Sequence, residues 1–262
     1  MARRDPHRGE TEVVVFGRHP VLDALASEHV DVQEVRFAKG IPPGDRKALQ
    51  SACRAADLAP SEVAREELSR WTHAARHDQG IAARVRLLRV TEVDVFLAKA
   101  TGRAARAPRR LLALDGVTNS QNVGMVVRSV VGAGLDGLLW PTAGQPWVNG
   151  LVVRAAAGSI FACPILRCGT LIEGLANLQA AGFTLYGLDA GGRRGLFDLE
   201  PAHRSVFVLG SEAQGLSDDG AALLDEGLSI PMTESLESLN VAVAAGLVAY
   251  HAAGWTRGPS GA

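Results

Sequence analysis

From Thr11 the stretch TEVVVFGRHPVLDALASE sets a short apolar run before a turn at Gly17–Pro20 and a helical pattern after it. VQEVRFAKG then alternates apolar and polar positions, which predicts a strand ended by Gly40 and by breakers in Ile41–Gly44. Arg46–Ala56 reads as a helix. Ser61–Trp71 reads as another, with Ser61 as its cap. GIAARVRLLRV, Gly80–Val90, predicts a closing strand. These elements make a small α/β domain over residues 11–90, too short for a full doubly wound fold. Residues 1–10 read as a disordered basic arm. Residues 91–110 read as a linker holding Arg103, Arg106, Arg109 and Arg110, either a solvated connector or a strip that contacts phosphates.

From Leu111 strand and helix patterns alternate. LLALDG and DGLLWP are expected strands, with a helix over Asn122–Ala133 between them. Its Val123, Val126, Val127, Val130 and Val131 form a buried stripe, and Arg128 falls well off it. FACPIL, FTLYGLDA, SVFVLG and LSIPM follow as strands. This order predicts a parallel sheet with crossover helices, and such sheets bind ligands at the carboxyl ends of their strands. Ala242–Tyr250 is helical and apolar on nearly every side, which predicts burial on all faces, in part against a second subunit.

Composition narrows the picture. The 262 residues are 47% apolar and 21% charged, ordinary for a globular chain, and length suits two domains. A net charge of −1 gives no global pull toward nucleic acid, so any RNA contact needs a local patch. Cys53, Cys163 and Cys168 form neither a CxxC pair nor a zinc cluster, and no metal site is expected. No apolar run is long enough for a membrane span, and none follows the basic start as a signal peptide would require. A cytoplasmic protein is expected.

Candidate chemistry collects at three strand ends. Gly132–Gly137 (GAGLDG) matches a dinucleotide fingerprint by letters, but it follows a helix and precedes a strand; a helix stop is the better reading. DGVTNSQNVGMVVR, Asp115–Arg128, offers Asn119, Ser120 and Asn122 as caps at a strand-to-helix turn. Capping does not explain Arg128, which could pair with a carboxylate or clamp a phosphate. GSEAQG, Gly210–Gly215, follows its strand directly and carries Glu212. Thr233–Asn240 follows IPM as a polar loop, in which Ser238 and Asn240 are either site residues or helix caps.

Together these segments resemble the three motifs of the SpoU family of ribose 2′-O RNA methyltransferases, within the SPOUT superfamily. The matching residues are Asn122, Gly124 and Arg128, then Leu209–Leu216, then Ile230–Met232 and Ser238–Ala244. GRHPVLDAL and HDQGIAARV are similar to the small substrate-binding domain that precedes the catalytic domain in many members. One departure is Ala156, in RAAAG, where many members have Ser. The resemblance implies a parallel-sheet SPOUT domain over 111–262 whose C-terminal segment threads a deep trefoil knot. It implies S-adenosylmethionine held largely by backbone groups at Leu188, Gly210, Ile230, Met232 and Leu239. It further implies methyl transfer to a ribose 2′-hydroxyl, with Arg128 first among the catalytic candidates and Asn122, Glu212, Ser238 and Asn240 after it. Partners implied are RNA, ribosomal favoured over transfer RNA, and a second copy in a homodimer. A catalytically silent RNA-binding protein on the same scaffold is the reading from another class.

Overall fold

Strand and helix propensities place most elements of the computed structural model, which describes residues 11–99, 108–144, 147–233 and 238–254. The expected arm, and the linker arginines Arg103 and Arg106, lie outside the described residues.

The chain opens with strand β1 (Glu12–Phe16), helix α1 (Arg18–Ala26), β2 (Val30–Ala38), α2 (Pro43–Ala55), β3 (Ser61–Val63), α3 (Arg65–Thr72) and β4 (Ile81–Leu87). Its strands form one sheet in the order β1-β4-β2-β3, antiparallel except for the β2–β3 pair. Two local expectations are corrected. The breakers in Ile41–Gly44 include the start of α2: Pro43 occupies the first turn, where its missing N–H leaves no bond unmade. Ser61 is no helix cap, because it pairs with Arg36 in the sheet, and α3 begins at Arg65 behind Ala64.

The chain continues through β5 (Val90–Glu92), α4 (Val93–Lys99), β6 (Arg109–Asp115), α5 (Ser120–Ala133), β7 (Gly137–Pro141), α6 (Gly150–Ala155) and β8 (Ile165–Cys168). It ends with α7 (Leu171–Ala180), β9 (Thr184–Leu188), β10 (Arg194–Gly195), β11 (Arg204–Gly210), α8 (Asp218–Ala222), β12 (Glu226–Ser229) and α9 (Val241–Ala252). Two compact units result. One spans Met1–Arg89 with Val148–Ala162, so that it includes α6; the other spans Val90–Trp147 and Cys163–Ala262. The segment expected to start a linker therefore carries β5 and α4. Arg109 and Arg110 open β6: Arg109 pairs with Asp136 at 3.0 Å, and Arg110 donates to the carbonyls of His203 and Pro201.

The second unit is an eight-stranded sheet, β10-β12-β9-β11-β6-β7-β8-β5, with every adjacent pair parallel. Its central strands are apolar on both faces, as a sheet covered by helices on both sides requires. Leu111, Ala113, Leu139, Val206 and Val208 face Leu171, Leu175 and Leu178 of α7. Helices α5 and α9 pack against each other, α5 touching β7 and α9 touching β11. In α5 the expected stripe is buried at Val123, Val126, Val127 and Val130, each contributing about 2 kcal/mol by leaving water. Gly134 ends α5 in the left-handed conformation that glycine adopts without strain, which makes GAGLDG a helix stop. Helix α9 is not buried on every side within one chain. Val243 and Tyr250 remain 53% and 42% exposed, because α5 and the sheet cover only one side of it.

Sequence neighbours run to one side of β6 as β7 and β8, whereas β9, β11 and β12 lie on the other. The order reverses between β6 and β11, where an open parallel sheet leaves a crevice. Register brings the carboxyl ends level there: Asp115 pairs with Gly210, Leu209 with Leu188, and Leu188 with Leu228.

Candidate functional site

Helix α5 starts at this crevice. Asn119 is its N-cap, with its side-chain oxygen accepting from the backbone N–H of Gln121 at 2.8 Å and of Asn122 at 3.3 Å. With the cap filled, the buried Asn122 side chain is free for another use. Its Nδ2 donates to both carboxylate oxygens of Glu212 at 3.2 Å.

Glu212 sits just past β11, in a loop closed by reciprocal backbone bonds between Ser211 and Gly215 at 2.9 and 2.8 Å. Gly215 takes φ 69°, and at Gly210 the loop folds back so tightly that no side chain fits. The Glu212 carboxylate also accepts from Asn240 Nδ2 and from the Val241 N–H at 3.3 Å. It thus lies at the positive end of α9, the favourable end for an anion. Asn240 serves twice. Its oxygen caps α9 by accepting from Ala242 N–H at 3.0 Å, while its Nδ2 reaches Glu212 and, at 3.3 Å, Asn122 Oδ1. One carboxylate therefore ties together the starts of α5 and α9 and the end of β11.

Beside this hub opens a cavity of about 680 Å³. Leu188, Gly210, Ile230, Met232 and Leu239, expected from separate stretches of the chain, all line it. Glu212 and Ser238 line it too, so Ser238 is a cavity residue and Asn240 the helix cap. Among the described residues, no lysine or arginine lines it. A volume of this order lies within the range of small-molecule sites. Gly215, Val241 and Ala244 line it too; they fall within the matched motif stretches but were not named as cofactor contacts.

Arg128 is not brought to the cavity. It is exposed on α5, one turn from the exposed Met125, and makes no hydrogen bond or ion pair among the described residues. Of other arginines in the second half of the chain, Arg154 bonds to His77 Nδ1 at 2.8 Å and Arg194 pairs with Glu226 at 3.6 Å. Arg193 is exposed. Ala156, where a hydroxyl was expected by family pattern, is fully buried at the end of α6.

Asp115 and Ser217 were not anticipated as partners. Asp115 ends β6, is 8% exposed, and accepts from both the N–H and the hydroxyl of Ser217 at 2.8 Å.

Comparison with known proteins is consistent along the whole chain. The model of the SpoU rRNA Methylase family matches residues 109–250, and the model described as RNA 2′-O ribose methyltransferase substrate binding matches residues 14–91. An uncharacterized tRNA/rRNA methyltransferase of Mycobacterium avium is 38% identical over 248 residues, 94% of this chain and 78% of that protein. Among solved structures, the SpoU methyltransferase AviRb from Streptomyces viridochromogenes, in complex with the cofactor AdoMet, superposes with a TM-score of 0.70 at 25% identity. That alignment covers 98% of this chain and 95% of the other. An AdoMet-bound rRNA methyltransferase from Sinorhizobium meliloti shares the fold, with a TM-score of 0.70 at 21% identity over 94% of this chain and 88% of that one.

Proposed function

The chain belongs to the SpoU rRNA methylase family, and from that premise we propose that it methylates a ribose 2′-hydroxyl of RNA, ribosomal RNA in preference to transfer RNA, using S-adenosylmethionine. The observation that carries this reading is the convergence of Leu188, Gly210, Ile230, Met232 and Leu239 on one cavity beside the Asn122–Glu212–Asn240 hub. Strand-end backbone and small residues suit a purine edge and a ribose, and at Gly210 the Gly215–Leu216 backbone comes closer than any Cβ would allow. The match of residues 14–91 to a substrate-binding model supports assigning the first unit to RNA docking. A threaded C-terminal segment is part of the same reading.

When bound, S-adenosylmethionine supplies a methyl group already activated by its sulfonium. The protein's work is then to hold the 2′-hydroxyl in line and to manage its proton. Glu212 is placed to organise rather than to take that proton, because three donors from two side chains and a helix end already occupy its oxygens. Arg128 holds the phosphate next to the target ribose and stabilises the developing alkoxide; a guanidinium does not give up its own proton in proteins. The proton leaves to water or to that phosphate. Ser238, at the cavity wall, orients the substrate.

Arg128 stands apart from the cavity, and a homodimer accounts for it. Met125 on α5 with Val243 and Tyr250 on α9 make an exposed apolar strip on two helices that pack side by side. A second copy seated on this strip encloses Arg128 in the seam and lets RNA contact both subunits. The test is methyl transfer from labelled S-adenosylmethionine to bulk ribosomal and transfer RNA, with product mapping and Arg128→Ala in parallel. Label on a 2′-oxygen of ribosomal RNA, reduced at least about a hundredfold in the variant with folding unchanged, is expected. Label in transfer RNA alone would move the substrate assignment. Cofactor binding by neither protein would overturn the enzyme reading and leave a silent RNA-binding protein.

A further inference from the structure

The loop that carries Glu212 needs something to hold it, and its own bonds do not suffice. Ser211–Gly215 closes on itself through two backbone bonds, but that small ring could swing as a unit on Gly210 and Leu216. What stops it is on another strand. Asp115 ends β6 directly beside Gly210 in register, and its carboxylate is more than nine-tenths buried. One oxygen, Oδ2, accepts two hydrogen bonds, from Ser217 N–H at 2.8 Å and Ser217 Oγ–H at 2.8 Å. Because the Ser217 hydroxyl donates to Asp115, its lone pairs face the other way. There Oγ accepts from Gly220 N–H at 3.1 Å and caps α8. Gly220 has no side chain where one would intrude: a Cβ would lie 2.7 Å from Asp115 Oδ2 and 3.0 Å from Ser217 Oγ.

We infer that Asp115 is a positioning residue that clamps the far end of the 211–217 loop through Ser217, holding Ser211, Glu212, Gly215 and Leu216 as one wall of the cofactor cavity. Both ends of the loop are thereby referred to the same strand pair: Gly210 by the β6–β11 ladder, Ser217 by the Asp115 carboxylate. A buried charged acceptor with two donors is the stronger kind of hydrogen-bonded link, and its removal leaves both Ser217 donors without a partner. The inference rests on the cavity being the S-adenosylmethionine site, and the experiment separates the two.

The full-length protein is compared with Asp115→Ala, Asp115→Asn, Ser217→Ala and the double variant Asp115→Ala/Ser217→Ala. Two quantities are read: amide hydrogen exchange of residues 211–220 without cofactor, and the Kd for S-adenosylmethionine by calorimetry. Asp115→Ala is expected to speed exchange across 211–220 and to raise Kd about tenfold or more, the loss expected for a charge-assisted pair. Asp115→Asn recovers most of both, since a single amide oxygen at the Oδ2 position can accept both bonds. Ser217→Ala falls between over residues 211–217, because the backbone N–H bond survives; it also uncaps α8 at Gly220, so only over 211–217 and in Kd is the double variant expected to be no worse than Asp115→Ala alone, as for residues acting as a unit. If Asp115→Ala does not fold, Asp115→Asn and Ser217→Ala carry the comparison. Unchanged exchange in folded variants overturns the clamp, and faster exchange with an unchanged Kd overturns its role in holding the cofactor wall. Wild-type protein that binds no S-adenosylmethionine overturns the cavity assignment, while exchange still decides the clamp by itself.

Discussion

Gly210→Ala tests the cavity wall at its tightest point. The residue lies at the end of β11 with strand-like backbone, so any penalty comes from space and not from torsion. A Cβ built there sits 2.0 Å from the Gly215 carbonyl carbon, 2.2 Å from its oxygen and 2.3 Å from the Leu216 nitrogen. All three are backbone atoms, which cannot rotate away. Reaching an ordinary contact of 3.4 Å requires the Gly215–Leu216 segment to move by about 1.4 Å. That shift breaks the two Ser211–Gly215 bonds, at about 1 kcal/mol each, and adds overpacking strain of about 1–3 kcal/mol. The expected result is a loss of about 3–5 kcal/mol in urea unfolding, and no calorimetric heat with S-adenosylmethionine at concentrations that saturate the wild type. Gly227→Ala is the control. It lines the same cavity, but its added methyl meets nothing closer than Gly192 Cα at 3.8 Å, so stability and binding should stay near wild type. Gly210→Ala that binds as the control does would refute the assignment of this turn to the ligand wall.

Two further outcomes follow from other parts of the second unit. Val243→Lys places a charge in the exposed apolar strip of α9; sedimentation velocity should show a monomer that still binds S-adenosylmethionine but no longer methylates RNA, whereas an unchanged sedimentation coefficient would count against a dimer on this face. The Cys168 thiol is pushed up to about 12 by burial first, then by the Glu92 and Glu173 carboxylates, and burial raises Cys53 as well. A raised thiol keeps its proton in the native state while the unfolded chain ionises near pH 9, so stability is full below that pH and falls as pH climbs toward 12. Iodoacetamide at pH 8 should therefore label these cysteines only on unfolding, and Cys168→Ala should flatten the loss of stability between about pH 9 and 11. Rapid native labelling at Cys168 would contradict its burial.

How much of this was readable beforehand depends on the range over which each signal acts. The α5 stripe was legible because helix periodicity is local: of the five valines that spacing places on it, Val123, Val126, Val127 and Val130 are buried and Val131, at its edge, is half-buried. So was the helix stop at Gly134. Ser61 was misread because a three-residue strand has no period to show, and its partner Arg36 lies 25 positions earlier. The α6 segment packs with residues whose chain positions give no hint of it, and Asp115 meets Ser217 across 102 residues. Nothing local marks such a pair.

The asparagines show where local reasoning can still reach function. Asn119, Asn122 and Asn240 all stand near helix starts, and capping alone accounts for each when taken singly. A helix has one N-cap position, however, and α5 fills it with Asn119. Asn122 is then a buried amide that capping has not used, and a buried amide must find partners. It finds them in Glu212, 90 residues away. Asn240 splits the roles within one side chain, with its oxygen on the cap and its nitrogen on the carboxylate. Surplus polar residues at a helix start, beyond the number that its free N–H groups can use, are thus evidence for a long-range contact. Here that surplus marks Asn122, which fastens Glu212 beside the cavity together with the spare nitrogen of the capping Asn240.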